Sequence, residues 1–284
     1  MEQYEESPPR RWIWLAASLV IVVLVALVVF FLWPSADEEG DSQGSENQNT
    51  ARDLSIVAGA GGSRLAPDGK TPIGYESTCA GAVEAATNYT RLLSQTSLSL
   101  PEGSDKTVEY AVLDEDIESA SIRTMGNETL VQSLSKSELN ELKDSYRDTF
   151  HPEWSGKYLL DSCIPEQSAT VGVAGILSSS LPNEREANSY TGRTFNMVWS
   201  DGDWKIQSEE MSDAPDASIK TPVLNDVETI ENTSTTYVTW EDGEPSIETR
   251  SENRPVMNGA ALSEAFSVAS PGIDSWYNYK DSSQ

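Results

Sequence analysis

Histidine, cysteine and positive charge are scarce in this sequence. Its 284 residues include one His and two Cys, and 19 Lys and Arg stand against 46 Asp and Glu, which gives a formal net charge of −27. Charge of this sign disfavours binding to nucleic acid or to anionic lipid headgroups, so any partner of the acidic region should be basic or neutral. The simpler interpretation, which we favour, is that the acidity keeps an exposed surface soluble.

The residue patterns of catalytic and metal sites are missing as well. The single histidine, His151, follows a predicted helix and precedes Pro152, a position typical of an imidazole that caps the last carbonyls of a helix. Two acidic clusters, 114–116 and 201–203, lack the ligand spacing of a calcium loop and are predicted to be solvated turns. The glycine-rich run 59–62 lacks the Lys-Ser/Thr of a phosphate-binding loop. We therefore predict no catalytic residue, no metal and no cofactor.

One long hydrophobic segment is present at residues 12–33, and it contains no charged residue. As a helix it would span about 30 Å, the thickness of the hydrocarbon core of a bilayer. Trp12, Trp14 and Trp33 lie at its ends, where amphipathic rings prefer the level of the lipid headgroups. The segment predicts a transmembrane helix that anchors the chain in the lipid bilayer.

The charges that flank this segment predict its orientation. Arg10 and Arg11 precede it and acidic residues follow it, so the positive-inside rule places residues 1–11 in the cytoplasm and the rest of the chain outside. The predicted localisation is the plasma membrane, with a single crossing and an extracytoplasmic C-terminal domain. A cleaved signal peptide is the alternative, although its apolar region is usually only about 7 to 15 residues long.

The outer part of the chain divides by composition into three segments. Residues 34–72 are polar, acidic and then glycine-rich, which predicts a flexible stalk. Residues 73–210 carry the periodic apolar patterns of an α+β domain. Residues 211–284 are again acidic and predict a partly ordered C-terminal extension. The aromatic end of that extension, 276–279, is either loosely ordered or laid over the domain, and the sequence leaves both alternatives open.

Two helices are predicted between residues 73 and 210. The first spans 80–93, where apolar residues recur at helical spacing. The second begins at a capping box formed by Ser135 and Glu138 and continues to Phe150. Between the two helices, apolar and polar residues alternate, which predicts a strand at 108–112.

Four extended segments follow, at 157–160, 170–177, 194–199 and 204–207. The last two form the clearest hairpin, because Asp201-Gly202 is a turn dipeptide that tolerates positive φ. Trp199 and Trp204 flank this turn, and burial of their rings across the strands fixes the register without any functional role. A further strand and turn are predicted at 237–243.

The two cysteines, Cys79 and Cys163, both lie on the predicted outer side of the membrane. An even number of cysteines in an oxidising compartment favours a disulfide. Closing a loop of this length would stabilise the fold by about 4 kcal/mol in the chain-entropy model. Two buried free thiols are the alternative, because the sequence does not supply the geometry.

The order of these elements resembles the cystatin-like α+β cone of the nuclear-transport-factor superfamily, in which helices pack on a curved antiparallel sheet. Three motifs add to the resemblance: 74–75 (Gly-Tyr), 81–86 (Gly-Ala-Val-Glu-Ala-Ala) and 198–205, the hairpin. Together they are similar to actinobacterial conjugative-element membrane proteins, in which one N-terminal anchor carries an external domain. Such proteins are similar in plan to scaffold subunits of type IV secretion and conjugation machines and to membrane proteins associated with mycobacterial lipid importers.

This resemblance implies a role in assembly rather than in catalysis. The expected function is that of a single-pass envelope protein whose external domain contacts other envelope proteins in a conjugation or secretion complex. A surface-exposed ligand-binding or sensor module is the alternative, since a curved sheet that faces a helix can enclose an apolar pocket.

Overall fold

The computed structural model describes residues 53–95, 102–113, 135, 137, 142, 146–180, 186–210, 218–224 and 227–280, all within one compact unit, Gln48–Gln284. Helices pack there against antiparallel sheets, which confirms the predicted α+β class. Within these ranges no helix is long and apolar enough to cross a membrane. The span predicted at 12–33, with Arg10, Arg11, Trp12, Trp14 and Trp33, lies outside the described residues and stays a prediction.

The described helices are α1 (Cys79–Leu93), α2 (Ser104–Ala111) and α3 (Gly259–Ala265). The described strands are β1 (Arg64–Leu65), β2 (Pro72–Ile73), β3 (Arg147–His151), β4 (Lys157–Ile164), β5 (Ser168–Ser180), β6 (Ala187–Ser200), β7 (Asp203–Glu210), β8 (Ile230–Glu241), β9 (Glu244–Pro255) and β10 (Tyr277–Asn278). Strands β1 and β2 pair with each other, as do β8 and β9. The main sheet has the order β10-β4-β5-β6-β7, and β3 also pairs with β5.

Strand β5 lies at the centre of the main sheet. Strand β6 pairs along one of its edges, while β4 and β3 lie end to end along the other. Both faces of β5 are covered, because Val171 and Val173 pack into one hydrophobic cluster and Ala174 and Ile176 into another. Burial on both faces explains why this strand reads in the sequence as a nearly continuous apolar run.

Helix α1 covers one face of the sheet. The hydroxyl of Thr78 accepts a hydrogen bond from the Gly81 N–H at 3.1 Å and so caps the start of the helix. Ala82, Ala86 and Tyr89 are fully buried against the strands, and the two small side chains bring the helix close to the sheet. The helix predicted at this position is confirmed.

Residues after β7 cover the opposite face of the sheet. Ile219, Met257, Phe266 and Trp276 pack there against β4, β5 and β6. At the aromatic end, the Tyr279 side chain is buried in the cluster beneath α1. Of the two alternatives for this end, the structure therefore shows the packed one.

The strand predicted at 108–112 is wrong, because most of these residues belong to α2. The buried side chains of this helix, Ser104, Thr107 and Ala111, recur at helical spacing. Two of these three buried residues are polar. The apolar residues alone therefore indicated the two-residue period of a strand instead of the 3.6-residue period of a helix.

The second predicted helix does not continue to Phe150. The N–H of Tyr146 donates to the Leu142 carbonyl at 2.8 Å, as in a helix, but β3 begins at Arg147. Asp148 and Phe150 are then buried and their neighbours are not, which is the alternation of a strand. Pairing with the end of β5 outweighs the local helical pattern at this point.

The packed fold also includes residues that the sequence assigned to the flexible stalk, 34–72. Ile56, Ala58 and Ala66 are buried in the cluster beneath α1. The composition of this segment is that of a linker. It is nevertheless packed, because these residues make apolar contacts with distant parts of the chain.

Candidate functional site

A cleft of about 370 Å³ opens where the last turn of α1, strand β3, the loop before β2 and the end of β8 meet. Its lining includes Asp68, Arg91, Asp148, His151, Glu153 and Trp240. The cleft is therefore lined by side chains of both charge signs and by an indole ring.

Arg91 and Glu153 form an ion pair at this cleft, and His151 contacts the same carboxylate. Arg91 Nη2 lies 2.5 Å from Glu153 Oε2, and His151 Nδ1 lies 3.1 Å from Glu153 Oε1. Burial acts to raise the pKa of Glu153, but the Arg91 guanidinium and the hydrogen bond from His151 outweigh it and lower the pKa to about 2. The His151 ring stacks on Trp154 with ring centroids 3.5 Å apart. His151 thus ends a strand and binds a carboxylate, and its predicted role as a helix cap is wrong.

Among the described residues, two polar atoms of the cleft lining have no hydrogen-bond partner. Asp148 is 3% exposed, and its Oδ1 accepts from the hydroxyls of Tyr146 and Ser179 at 2.8 and 2.6 Å, but Oδ2 has no partner. The buried Nε1 of Trp240 also lacks a partner. Both atoms are buried although their residues line the cleft, so a polar ligand would reach them only if the lining shifted.

The hairpin residues that the sequence singled out lie away from this cleft. Asp201 and Gly202 form a two-residue loop with φ angles of 55° and 78°. Trp199 pairs with Trp204 across the strands, and their rings meet edge to face with centroids 5.6 Å apart. Trp204 is completely buried, so this motif belongs to the core.

Asp203 is an organising side chain that the sequence analysis missed. It is completely buried, and its carboxylate accepts from the N–H groups of Gly74 and Tyr75 at 2.7 and 2.9 Å and from the Tyr110 hydroxyl at 2.7 Å. Burial and this hydrogen bond raise the pKa of Tyr110 to about 12. The prediction of a solvated turn at 201–203 is wrong for this residue.

The joint occurrence of the motifs 74–75 and 198–205 carried the family resemblance, but no contact between them was predicted from it. Beside the Asp203 contacts, the indole N–H of Trp204 donates to the Glu76 carbonyl at 2.9 Å. The two motifs therefore form a structural joint between the N-terminal loop and the hairpin.

Cys79 and Cys163 are joined by a disulfide, with their Cα atoms 5.9 Å apart. The bond connects the first residue of α1 to strand β4. It holds the helix on the face of the sheet at the end opposite to the cleft, which contacts the last turn of α1.

A second surface is the ribbon, residues 230–255, formed by β8, β9 and the loop between them. The sequence predicted only 237–243 of it, because β9 is rich in Glu, Ser and Thr and has no apolar alternation. Every residue from Glu244 to Ser251 is exposed. Strand β8 instead faces the body of the domain, where the Tyr237 hydroxyl accepts from the Trp154 indole N–H at 2.9 Å.

Among the described residues, no three His, Cys, Asp or Glu side chains lie close enough to hold a metal ion. The cleft offers charged side chains, and β9 offers an exposed strand edge. Both surfaces therefore present groups that a ligand or a partner protein could contact. The chain has no significant match among protein-family models, curated proteins or solved structures.

Proposed function

We propose that this chain is a single-pass envelope protein whose external, cystatin-like domain mediates protein–protein contacts in a conjugation or secretion assembly. The observation that carries the proposal is the ribbon, in which β9 is exposed on both faces from Glu244 to Ser251. A long strand whose only sheet neighbour is β8, among the described residues, presents its other edge to other envelope proteins. In this proposal residues 12–33 anchor the chain in the bilayer, and nucleic acid is not a partner.

Two further features support this proposal, one bearing on the compartment and one on the type of partner. The Cys79–Cys163 disulfide suits an oxidising compartment. The net charge of −27 suits partners that are neutral or basic and disfavours nucleic acid.

Removal of the whole external fold tests this proposal. Because packed residues begin near 53 and end near 280, a variant that lacks 53–280 keeps the anchor without an unfolded remnant of the domain. In cells that make the protein from its own locus, we expect this variant to lose DNA or protein transfer and to co-purify no other envelope subunit. The control is the full chain with the same C-terminal tag at the same expression level. Unchanged transfer together with unchanged co-purification would refute the proposal.

The cleft favours a second candidate function, that of a ligand-binding or sensor module. Asp148 and Trp240 line the cleft, and each has a buried polar atom without a partner among the described residues, which a polar ligand would pair with once the lining moves aside. Native mass spectrometry of the full chain should then show a co-purifying small molecule that is lost in Asp148→Ala and in Trp240→Phe. Asp105→Ala, at an exposed position of α2, is the control and should retain the molecule. A wild-type protein without added mass would count against this candidate.

A further inference from the structure

The loop of the ribbon determines which backbone groups of β9 point away from β8. Asp242 and Gly243 have φ angles of 52° and 83°, the signature of a two-residue type I′ turn. In such a hairpin the flanking pair, Glu241 and Glu244, is hydrogen-bonded, and hydrogen-bonded and non-hydrogen-bonded pairs then alternate along the ribbon. The residues of β9 whose N–H and C=O groups point outward are therefore Ile247, Thr249, Ser251 and Asn253.

Within the described residues, this outer edge of β9 is neither shortened, bulged nor covered. The pairing with β8 runs from Glu241–Glu244 to Ile230–Pro255 without a register shift, so no bulge interrupts the edge. Among the described residues, none forms a backbone hydrogen bond or β-bridge with it. Natural edge strands are usually shortened, bulged or covered, because an open edge pairs readily with another strand.

The edge of β8 differs, because it faces the body of the domain. Thr235 is completely buried, and Val238 and Trp240 line the cleft. The open side of the ribbon is therefore that of β9, where the Ile247 side chain is 68% exposed.

The two faces of the ribbon differ in charge. Paired residues share a face, so the register places every charged side chain of β8 and β9 on one face and none on the other. On β9 the exposed charged side chains of that face are Glu244, Glu248 and Arg250, and the half-buried Glu252 lies next along it. The opposite face of β9 carries Pro245, Ile247, Thr249, Ser251 and Asn253.

We propose that the outer edge of β9 binds an extended segment of a partner protein as an added antiparallel strand, with Lys or Arg alternating with Val, Ile or Thr. The backbone groups at Ile247, Thr249, Ser251 and Asn253 supply the hydrogen bonds. The basic side chains of the partner lie on the face of Glu244, Glu248 and Glu252, which stays net negative although Arg250 lies on it and pairs with Glu248 at 2.5 Å. Its β-branched side chains lie beside Ile247 and Thr249. This inference rests on the proposed function, whose partner it describes.

A second copy of this chain is a poorer occupant of the same edge. Antiparallel pairing of two β9 strands places glutamate beside glutamate when Ile247 lies opposite Thr249 or Asn253, and like charges on neighbouring strands are destabilising. Pairing centred on Thr249 instead places Glu248 beside Arg250, so it is the total charge that disfavours a second copy. The overall charge of −27 adds long-range repulsion between the copies.

Binding of a designed peptide to the full chain in detergent micelles tests this inference. The probe is a ten-residue peptide in which Lys and Val alternate, and a peptide of the same composition with its lysines grouped together is the control for general charge attraction. We expect the alternating peptide to bind at least tenfold more tightly than the grouped one and to shift the amide resonances of Ile247, Thr249 and Ser251. Equal binding of the two peptides would overturn the inference.

Thr249→Pro removes one outward N–H without removing a bond to β8, so it should weaken binding of the alternating peptide at least tenfold. Thr249→Val is the matched control, because it also loses the contact with the Thr236 hydroxyl but keeps the N–H, and it should bind as wild type. If the proline variant does not fold, Glu244→Lys combined with Glu248→Lys decides the question, since it must also weaken binding. Unchanged binding in these variants, or a dimer that Thr249→Pro dissociates, would contradict the inference.

The two proposals fail in distinguishable ways. No peptide binding together with loss of transfer on removal of 53–280 would remove only the strand-addition inference. Peptide binding that depends on Thr249, together with unchanged transfer after that removal, would remove the assembly function and leave the binding edge.

Discussion

Two buried carboxylates are stabilised by different partners in this fold. Asp203 accepts hydrogen bonds from backbone N–H groups, among them those of Gly74 and Trp204, whereas Glu153 faces the guanidinium of Arg91. Hydrogen bonds to an ionised acceptor are roughly twice as strong as neutral ones, so each charge makes a measurable contribution to stability.

We expect Asp203→Asn to lower the free energy of unfolding by about 2–3 kcal/mol, because the new amide group turns a donor toward backbone donors. Urea unfolding followed by tryptophan fluorescence measures the effect. Asp201→Asn is the control, since it lies in the exposed loop at a positive φ that Asn tolerates, and it should change the free energy by less than about 0.5 kcal/mol. An equal effect of the two variants would show that the Asp203 contacts contribute nothing.

Glu153 should make the protein sensitive to acid. Its pKa in the folded state is about 2, below the ordinary carboxyl value, so the unfolded chain takes up this proton first as the pH falls. The stability that it contributes, roughly 3 kcal/mol, is full above about pH 5 and is lost between about pH 5 and pH 2. Glu153→Gln should therefore unfold more easily at pH 7 and depend less on pH in that window. The exposed Glu109→Gln should keep the wild-type pH profile.

Glu84 should have the opposite effect. Burial, and then the nearby Glu76, raise the pKa of Glu84 to about 7. The folded state thus holds this proton more tightly than the unfolded chain, so the contribution to stability is full below about pH 4.5 and falls as the pH rises to 7. We expect Glu84→Gln to be more stable than wild type at pH 8, by about 1–3 kcal/mol, and equal to it at pH 4. Urea midpoints at the two pH values test this, and a variant that is less stable at pH 8 would contradict it.

At the scale of elements, two hairpins with the same Asp-Gly loop have different surroundings. The β6–β7 hairpin is embedded in the main sheet, with α1 on one of its sides, whereas the β8–β9 hairpin projects with β9 exposed. Loop chemistry therefore determines the turn, and packing determines whether the strands belong to the core or to a binding surface.

The packing of the C-terminal segment on β5 depends on the absence of a side chain at Gly172. A Cβ at Gly172 would lie 2.6 Å from the Trp276 ring. We expect Gly172→Ala to displace Trp276 together with β10, to lower stability by about 1–3 kcal/mol and to speed proteolysis near residue 270. Gly272→Ala, where a Cβ meets nothing within 4 Å, is the control and should behave as wild type. Unchanged tryptophan fluorescence and proteolysis in Gly172→Ala would disprove the contact.

At the scale of the whole molecule, the proposals require that the domain lies outside the cytoplasm. The domain combines a disulfide with a strongly acidic surface, while the anchor is predicted from residues 12–33. Orientation is therefore the property on which the assembly function and the oxidising environment both depend.

A reporter that is active only outside the cytoplasm should be active when fused after Gln284, because Arg10 and Arg11 favour a cytoplasmic N-terminus. In the same cells, thiol labelling of the unreduced, denatured protein should leave Cys79 and Cys163 unmodified, and labelling should appear only after reduction. An inactive reporter would reverse the predicted orientation. Full labelling without reduction would remove the disulfide.

The sequence by itself determined the α+β class, the position of α1, the four strands from β4 to β7 and the turn at Asp201-Gly202. These features depend on periodicity and turn chemistry within windows of about ten residues, where the local signal is complete. Only the tertiary structure decided that Asp203 is buried, because its partner Gly74 lies 129 residues away. It also decided that Thr107 is a buried residue of a helix and that Phe150 belongs to a strand. In both cases contacts with distant elements outweigh the local sequence pattern. The open edge of β9 was likewise beyond the sequence, because exposure depends on which surfaces the rest of the chain leaves uncovered.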